Sequence, residues 1–150
     1  MDTKKRQPKR STRKTPKPNK YRSKFEASVG HQLEELKREF EYETESIRFI
    51  QPSVQRLYKP DFIIKTRSGK TIYIEAKGLW TYEDRYKHLL IKQQHPDIDI
   101  RFVFQRASTR VSKGSRLTYR DVCEGRGRGI WSGVTWPYSE LTIPKEWLSE

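Results

Sequence analysis

Cysteine is nearly absent from this chain. Cys123 is the single one in 150 residues, which excludes an internal disulfide and a cysteine-based zinc centre and fits a reducing compartment. Long apolar runs are missing too. Hydrophobic residues make up 33% of the chain and the mean hydropathy is −1.00. No stretch approaches the roughly 20 apolar residues that a bilayer-spanning helix needs. The basic N-terminal segment lacks the apolar core of a secretory signal. A soluble, intracellular (cytoplasmic) protein with no membrane partner is therefore expected. His31, His88 and His95 are scattered without ligand-like spacing and read as helix-surface residues. No internal repeat, P-loop or dinucleotide-binding fingerprint is present, and nothing calls for a small-molecule cofactor.

What the chain does have is positive charge, +13 in all. Residues 1–24 carry 11 Lys/Arg against Asp2 alone, a net +10, leaving +3 for the other 126 residues. With three prolines and no aliphatic residue after Met1, residues 1–22 read as a disordered basic tail. Lys4, Lys5, Arg6, Arg10, Arg13 and Lys14 would give it sequence-independent, salt-dependent affinity for a polyanion, nucleic acid above all; a solubilising tail or an address signal is the alternative. A second basic stretch runs from Arg101 to Arg128. Arg106, Arg110, Lys113 and Arg116 lie in it among Ser108, Thr109, Ser112 and Ser115, a mixture suited to phosphate contacts.

The remaining length suits one α/β domain, residues 23–150. Ser23 and Glu26 form a capping-box pattern, and Phe25, Val29, Leu33, Leu36 and Phe40 follow at near-helical spacing, which predicts a helix over about residues 24–39. A segment of alternating character and then a strand fill 41–52. Two short strands flank Arg67-Ser68-Gly69-Lys70, a helix begins at Thr81 and stops before Pro96, and Ile98–Phe104 is a further strand. The order implies a mixed sheet with that helix as the crossover to a parallel neighbour. Beyond residue 105 the pattern is weak. Trp131, Trp136, Leu141, Ile143, Trp147 and Leu148 are expected to pack the last segment onto the core.

The chemistry-bearing residues sit on the two central strands. Glu75 and Lys77 are two apart and so emerge on one face. If the strands pair across the turn, Asp61 approaches the same spot. Hard carboxylate ligands suit Mg²⁺ or Mn²⁺, and a nearby lysine can orient or activate a water. The plain alternative is a solvated hairpin whose ion pairs are worth little. Against it, Glu75 interrupts an apolar strand, which costs free energy unless the carboxylate is paired or holds a metal. Glu26 borders the buried stripe of the first helix, where capping and an active-site role are both open. Tyr58, Trp80 and Tyr82 flank the spot as core or wall residues, with stacking on opened DNA the alternative.

The Pro60-Asp61…Glu75-Ala76-Lys77 spacing resembles the PD…(D/E)xK signature of a nuclease superfamily. Phe40-Glu41-Tyr42-Glu43, Pro60-Asp61-Phe62, Glu75-Ala76-Lys77-Gly78-Leu79-Trp80 and Lys87–Pro96 together resemble the phage endonuclease I family, and Lys113-Gly114-Ser115 and Ile143–Trp147 extend the likeness over about residues 22–148. The resemblance implies a restriction-endonuclease-like mixed β-sheet core flanked by helices, in an intertwined homodimer. It also implies a deoxyribonuclease IV-type phosphodiester hydrolase that resolves branched DNA such as four-way (Holliday) junctions, leaving 5′-phosphates. Asp61, Glu75, the Ala76 carbonyl and Glu26 would hold Mg²⁺ or Mn²⁺, Lys77 would assist the attacking water, and Glu41 would lie near the site. In that reading 23–40 is the first helix, 41–52 a bridge between subunits and 53–150 the catalytic core.

The chain departs from the family pattern in a longer Asp61–Glu75 hairpin, in the Gly- and Trp-bearing region 124–140, and in carrying its basic extension at the N-terminus. Two other readings stay open: a sequence-specific, nicking or homing endonuclease on the same core, and a non-catalytic architectural DNA-binding protein.

Overall fold

A computed structural model describes residues 20–51 and 54–150. The six tail cations named above lie outside the described residues. Helix α1 spans Lys24–Glu35, followed by strands β1 (Phe40–Tyr42), β2 (Ile47–Gln51), β3 (Val54–Tyr58), β4 (Phe62–Lys65) and β5 (Thr71–Lys77). Then come α2 (Tyr82–Gln94), β6 (Ile100–Phe104), α3 (Tyr119–Cys123), β7 (Glu124–Arg126), a 3₁₀ turn at Gly129–Trp131, β8 (Ser132–Thr135), β9 (Tyr138–Glu140) and α4 (Lys145–Ser149).

Five strands form one mixed sheet in the order β1-β4-β5-β6-β9. β4 and β5 are antiparallel neighbours, with Phe62 opposite Ile74. Their turn closes through Gly69, whose φ of +87° suits a residue without a Cβ. β5 and β6 run parallel, so the connection between them must cross a face of the sheet, and α2 makes that crossing. The Thr81 hydroxyl caps α2 by accepting from the Asp84 amide.

Alternation along β6 sorts the core into two layers. Phe102 and Phe104 pack with Trp80, Leu89, Tyr119 and Trp136, so α2 and α3 cover that face. Val103 points the other way, to Ile72, Ile74, Val29, Leu33 and Leu148, under α1 and α4. Trp80 is fully buried, its ring centroid 4.7 Å from Phe102, 5.4 Å from Phe104 and 5.7 Å from Trp136. It anchors the start of α2, just beyond the end of the central strand β5.

Several expectations are corrected. Helix α1 ends at Glu35 rather than near 39, because the Arg38 amide bonds the Leu33 carbonyl and the Lys37 amide that of Glu34. That is a Schellman closure, with Lys37 at φ +51° where glycine is usual. The segment after β1 is not one continuous run. Glu43, at φ +52°, ends β1, and β2 pairs with β3 in a separate antiparallel hairpin. His88 is no surface residue: it is fully buried, accepting at Nδ1 from the Trp80 indole at 3.2 Å. His95 is half-buried beyond the end of α2, its ring on the Arg48 carbonyl. Leu141 is exposed, at φ +64°, whereas Trp136, Ile143 and Leu148 are buried as expected. Among the described residues no helix is long and apolar enough to cross a membrane.

Candidate active site

Register builds the site. With Phe62 opposite Ile74, extending the pairing by one residue brings Asp61 beside Glu75 on the face that carries α2. The Ala76 amide donates to Asp61 Oδ2 at 3.0 Å, which fixes that carboxylate at the sheet end. Glu75 is 2% exposed. Its Oε1 accepts the Tyr58 hydroxyl, and its Oε2 lies 3.7 Å from Lys77 Nζ. Lys77 also faces Asp84 Oδ2 at 3.6 Å, and Asp84 in turn faces Lys87 at 3.6 Å. The first turn of α2 is thereby tied to the end of β5.

The other face supplies further carboxylates. Glu26 is buried on the first turn of α1 and accepts the Tyr42 hydroxyl at 3.0 Å. Oxygens of Glu26, Glu43 and Asp61 lie within 4.8 Å of one another. Glu43 was not singled out from the sequence, where Glu41 was named instead. Two residues apart on an ideal strand they would share a face. The positive φ at Glu43 breaks that rule and turns its side chain into the cluster. Glu41 remains exposed, accepting from the Thr44 hydroxyl at 3.0 Å. The signal available in the sequence was only the Phe-Glu-Tyr-Glu doublet, which does not say which acid turns inward.

Burial dominates the electrostatics. It is the main force pushing the Asp61 carboxyl up to about 9, reinforced by the charges of Glu75 and Glu26 and opposed by the Ala76 N–H and Lys77. Burial also raises Glu75, against the pull of Lys77 and the Tyr58 hydroxyl. Lys77 is pulled down by burial, but Glu75, Asp84 and Asp61 outweigh this and hold it charged. Two adjacent carboxylates that resist ionising together, Glu75 buried and Asp61 half-buried, are a ligand set whose charge a hard divalent cation would neutralise. All the side-chain donors are carboxylate oxygens, the ligand type that hard divalent cations take.

The loop after β6, which starts beside the end of β5, carries further basic residues. Arg106 lines a cavity of about 450 Å³ with Gly78 and Thr109, directly beside β5, since the Gln105 amide bonds the Lys77 carbonyl at 2.9 Å. Arg116 and Arg128 line another of about 560 Å³ with Ser112 and Ser115. Arg110 and Lys113 are exposed in the same loop. Two arginines of the basic stretch are diverted elsewhere. Arg101 is buried and clamped by Asp99 and Glu150 at 2.8 and 2.6 Å, and Arg126 is tied to Asp121 and Glu124.

Comparison with known proteins shows what the chain is similar to. The family profile for Phage endonuclease I matches residues 8–150. The chain is 38% identical over 130 residues to Endonuclease I of Escherichia phage T7, covering 87% of this chain and 79% of that one. It is 43% identical over 107 residues to Endodeoxyribonuclease 1 of Enterobacteria phage T3, covering 71% and 68%.

Proposed function

Because the chain belongs to the phage endonuclease I family, we propose that it is a Mg²⁺- or Mn²⁺-dependent endodeoxyribonuclease that resolves branched DNA such as four-way junctions. The observation that carries this reading is the convergence of Glu26, Glu43 and Asp61 within 4.8 Å, next to Glu75 and Lys77.

Asp61, Glu75, Glu26 and the Ala76 carbonyl would hold the metal, and Glu43 joins them by position. When bound, the ion supplies Lewis-acid stabilisation of charge on the phosphate and eases deprotonation of water. The protein's own groups do the rest. Lys77 Nζ, charged and 3.7 Å from Glu75 Oε2, orients the attacking water and offsets charge developing on the phosphate. Water oxygen bonds to phosphorus as the P–O3′ bond breaks, leaving a 5′-phosphate and a 3′-hydroxyl. Tyr58 and the Ala76 amide hold Glu75 and Asp61 in place while this happens.

Binding is a separate task. Arg106, Arg110, Lys113 and Arg116, with the tail cations Lys4, Lys5, Arg6, Arg10, Arg13 and Lys14, contact phosphates, which set position and follow branch shape without reading bases. A homodimer on a restriction-endonuclease-like core pairs two such sites for paired cuts. Ile50 and Leu57 on the β2–β3 hairpin, 58% and 64% exposed, support a partner on that hairpin.

The test is cleavage of an end-labelled four-way junction beside a linear duplex of matching sequence, in Mg²⁺ and in EDTA. Paired, Mg²⁺-dependent cuts confined to the junction are expected. Equal cutting of both DNAs would remove the resolving role.

A further inference from the structure

A cavity of about 460 Å³ opens at the start of α2, between it and the β2–β3 hairpin. Tyr82, Tyr86 and Phe49 supply aromatic walls, and Arg56, Lys87 and Asp84 supply polar groups of both signs. The rings of Tyr82 and Tyr86 are parallel, 3° apart with centroids 6.2 Å from each other, and Trp131 meets Tyr82 edge-on at 6.0 Å. Tyr82 is 58% exposed. It is nonetheless held: the Arg85 guanidinium lies 5.9 Å from its centroid and is itself bonded to the Trp80 carbonyl. An exposed aromatic that is already fixed loses little entropy when something stacks on it.

The cavity adjoins the carboxylate centre through shared residues. Asp84 faces Lys77 at 3.6 Å, and Lys87 lies over the Tyr58 ring at 5.8 Å, with the Tyr58 hydroxyl on Glu75. Its chemistry differs from that of the Ser112–Arg128 cavity, which is lined by hydroxyls and arginines without a carboxylate and suits a phosphate. Here acids stand among aromatics. Glu83 and Asp84 offset Arg56 and Lys87, so this lining has no excess of positive charge to hold a phosphate. A nucleobase, with a π face and both donors and acceptors on its edge, matches every wall.

Resting on the reading of the chain as a branched-DNA nuclease, we propose that this cavity takes one unstacked base from the strand being cut, adjacent to the scissile phosphate, and that Tyr82 and Tyr86 are its stacking platform. Where a branch interrupts pairing or stacking, extruding a base costs less than within a continuous duplex. The pocket thus adds a preference for branched over linear DNA beyond what phosphate contacts provide.

The experiment is a cycle on full-length protein. Wild type, Tyr82→Ala, Tyr86→Ala and Tyr82→Trp are titrated in Ca²⁺ with a four-way junction and with versions carrying one abasic site at each of the three nucleotides on either side of the branch. One abasic position is expected to weaken wild-type binding about 5- to 100-fold. The same position should cost Tyr82→Ala nothing further, and Tyr82→Trp should retain the wild-type response. Additive losses, or a Tyr82→Ala protein that binds every DNA as wild type does, would overturn the base pocket while leaving the junction-selective nuclease intact. A silent Tyr82→Ala together with a shallower salt dependence in Arg56→Ala would assign the cavity to a phosphate and overturn it equally. Wild type binding junction and duplex alike would instead defeat the functional reading on which the pocket rests.

Discussion

The Tyr58 hydroxyl donates to Glu75 Oε1 in the protein interior, leaving Oε2 as the oxygen that faces Lys77. One oxygen of this carboxylate is thus committed to the fold and the other is left to the chemistry. Tyr58→Phe keeps the ring, its packing and its contact with His88. It leaves a buried carboxylate oxygen without its donor, at a cost of about 1–3 kcal/mol. The expected outcome is a 10- to 100-fold fall in junction cleavage, the range typical for loss of an outer partner of a metal ligand. A higher Mg²⁺ concentration for half-maximal rate should accompany it. A Mg²⁺ titration of the cleavage rate checks this; an unchanged titration would make Tyr58 a packing residue only.

Glu43 and Glu41 make a paired comparison. Glu43→Gln should reduce cleavage by more than about 10²-fold, exceeding the effect of losing an outer partner. Glu41→Gln, at an exposed position whose carboxylate accepts from the Thr44 hydroxyl, should reduce it less than threefold, on the order of 0.5 kcal/mol. Single-turnover rates of both variants decide the matter, and the reverse order would mean that the turn at Glu43 is not present in the working enzyme.

Phosphate contact by the Ser112–Arg128 cavity predicts a change in salt dependence. Replacing Arg116 or Arg128 by Ala should weaken junction and duplex binding alike, and should lower the slope of log K against log salt by about one contact each. Binding isotherms across a salt series report it. A slope that does not move would place both arginines away from the DNA.

The Arg101 clamp predicts a pH dependence of stability. Burial alone would raise Asp99, but hydrogen bonds from Arg101 and Lys70 hold it below the usual carboxylate range, and Arg101 does the same for Glu150. Carboxylates with lowered folded-state values stabilise fully above the ordinary carboxyl range, near pH 4. That contribution fades as the pH falls through the lowered values. Arg101→Met should therefore lower Tm at pH 7 and reduce the gap from wild type as the pH falls from about 4 toward 2. Melting curves over that range check the sign; a gap that widens in acid would contradict it.

Much of the central arrangement was legible because it depends on period and turn chemistry. Asp61, Glu75 and Lys77 follow from alternation along β5 and a hairpin closed at Gly69, and α2 from a cap at Thr81 and a stop before Pro96. What escaped depends on single backbone angles or on tertiary context. Lys37 and Glu43 adopt positive φ without being glycine, so neither the early end of α1 nor the inward turn of Glu43 has a sequence signal. β3 carries Gln55 and Arg56, and its apolar Leu57 faces outward, so its pattern does not read as a buried strand. Arg101 sits in a basic stretch, yet it is clamped by Asp99 and by Glu150, the latter 49 residues away. His88 looks like a surface histidine until the Trp80 indole is placed against it.

The central claim is a division of labour, with chemistry in the carboxylates around Asp61 and affinity in the basic surfaces. Junction affinity of Asp61→Asn measured in Ca²⁺, alongside its cleavage rate in Mg²⁺, tests this most directly. The account predicts affinity within about threefold of wild type, less than 1 kcal/mol, and cleavage reduced beyond detection. Loss of affinity in parallel with cleavage, or cleavage that survives the substitution, would contradict it.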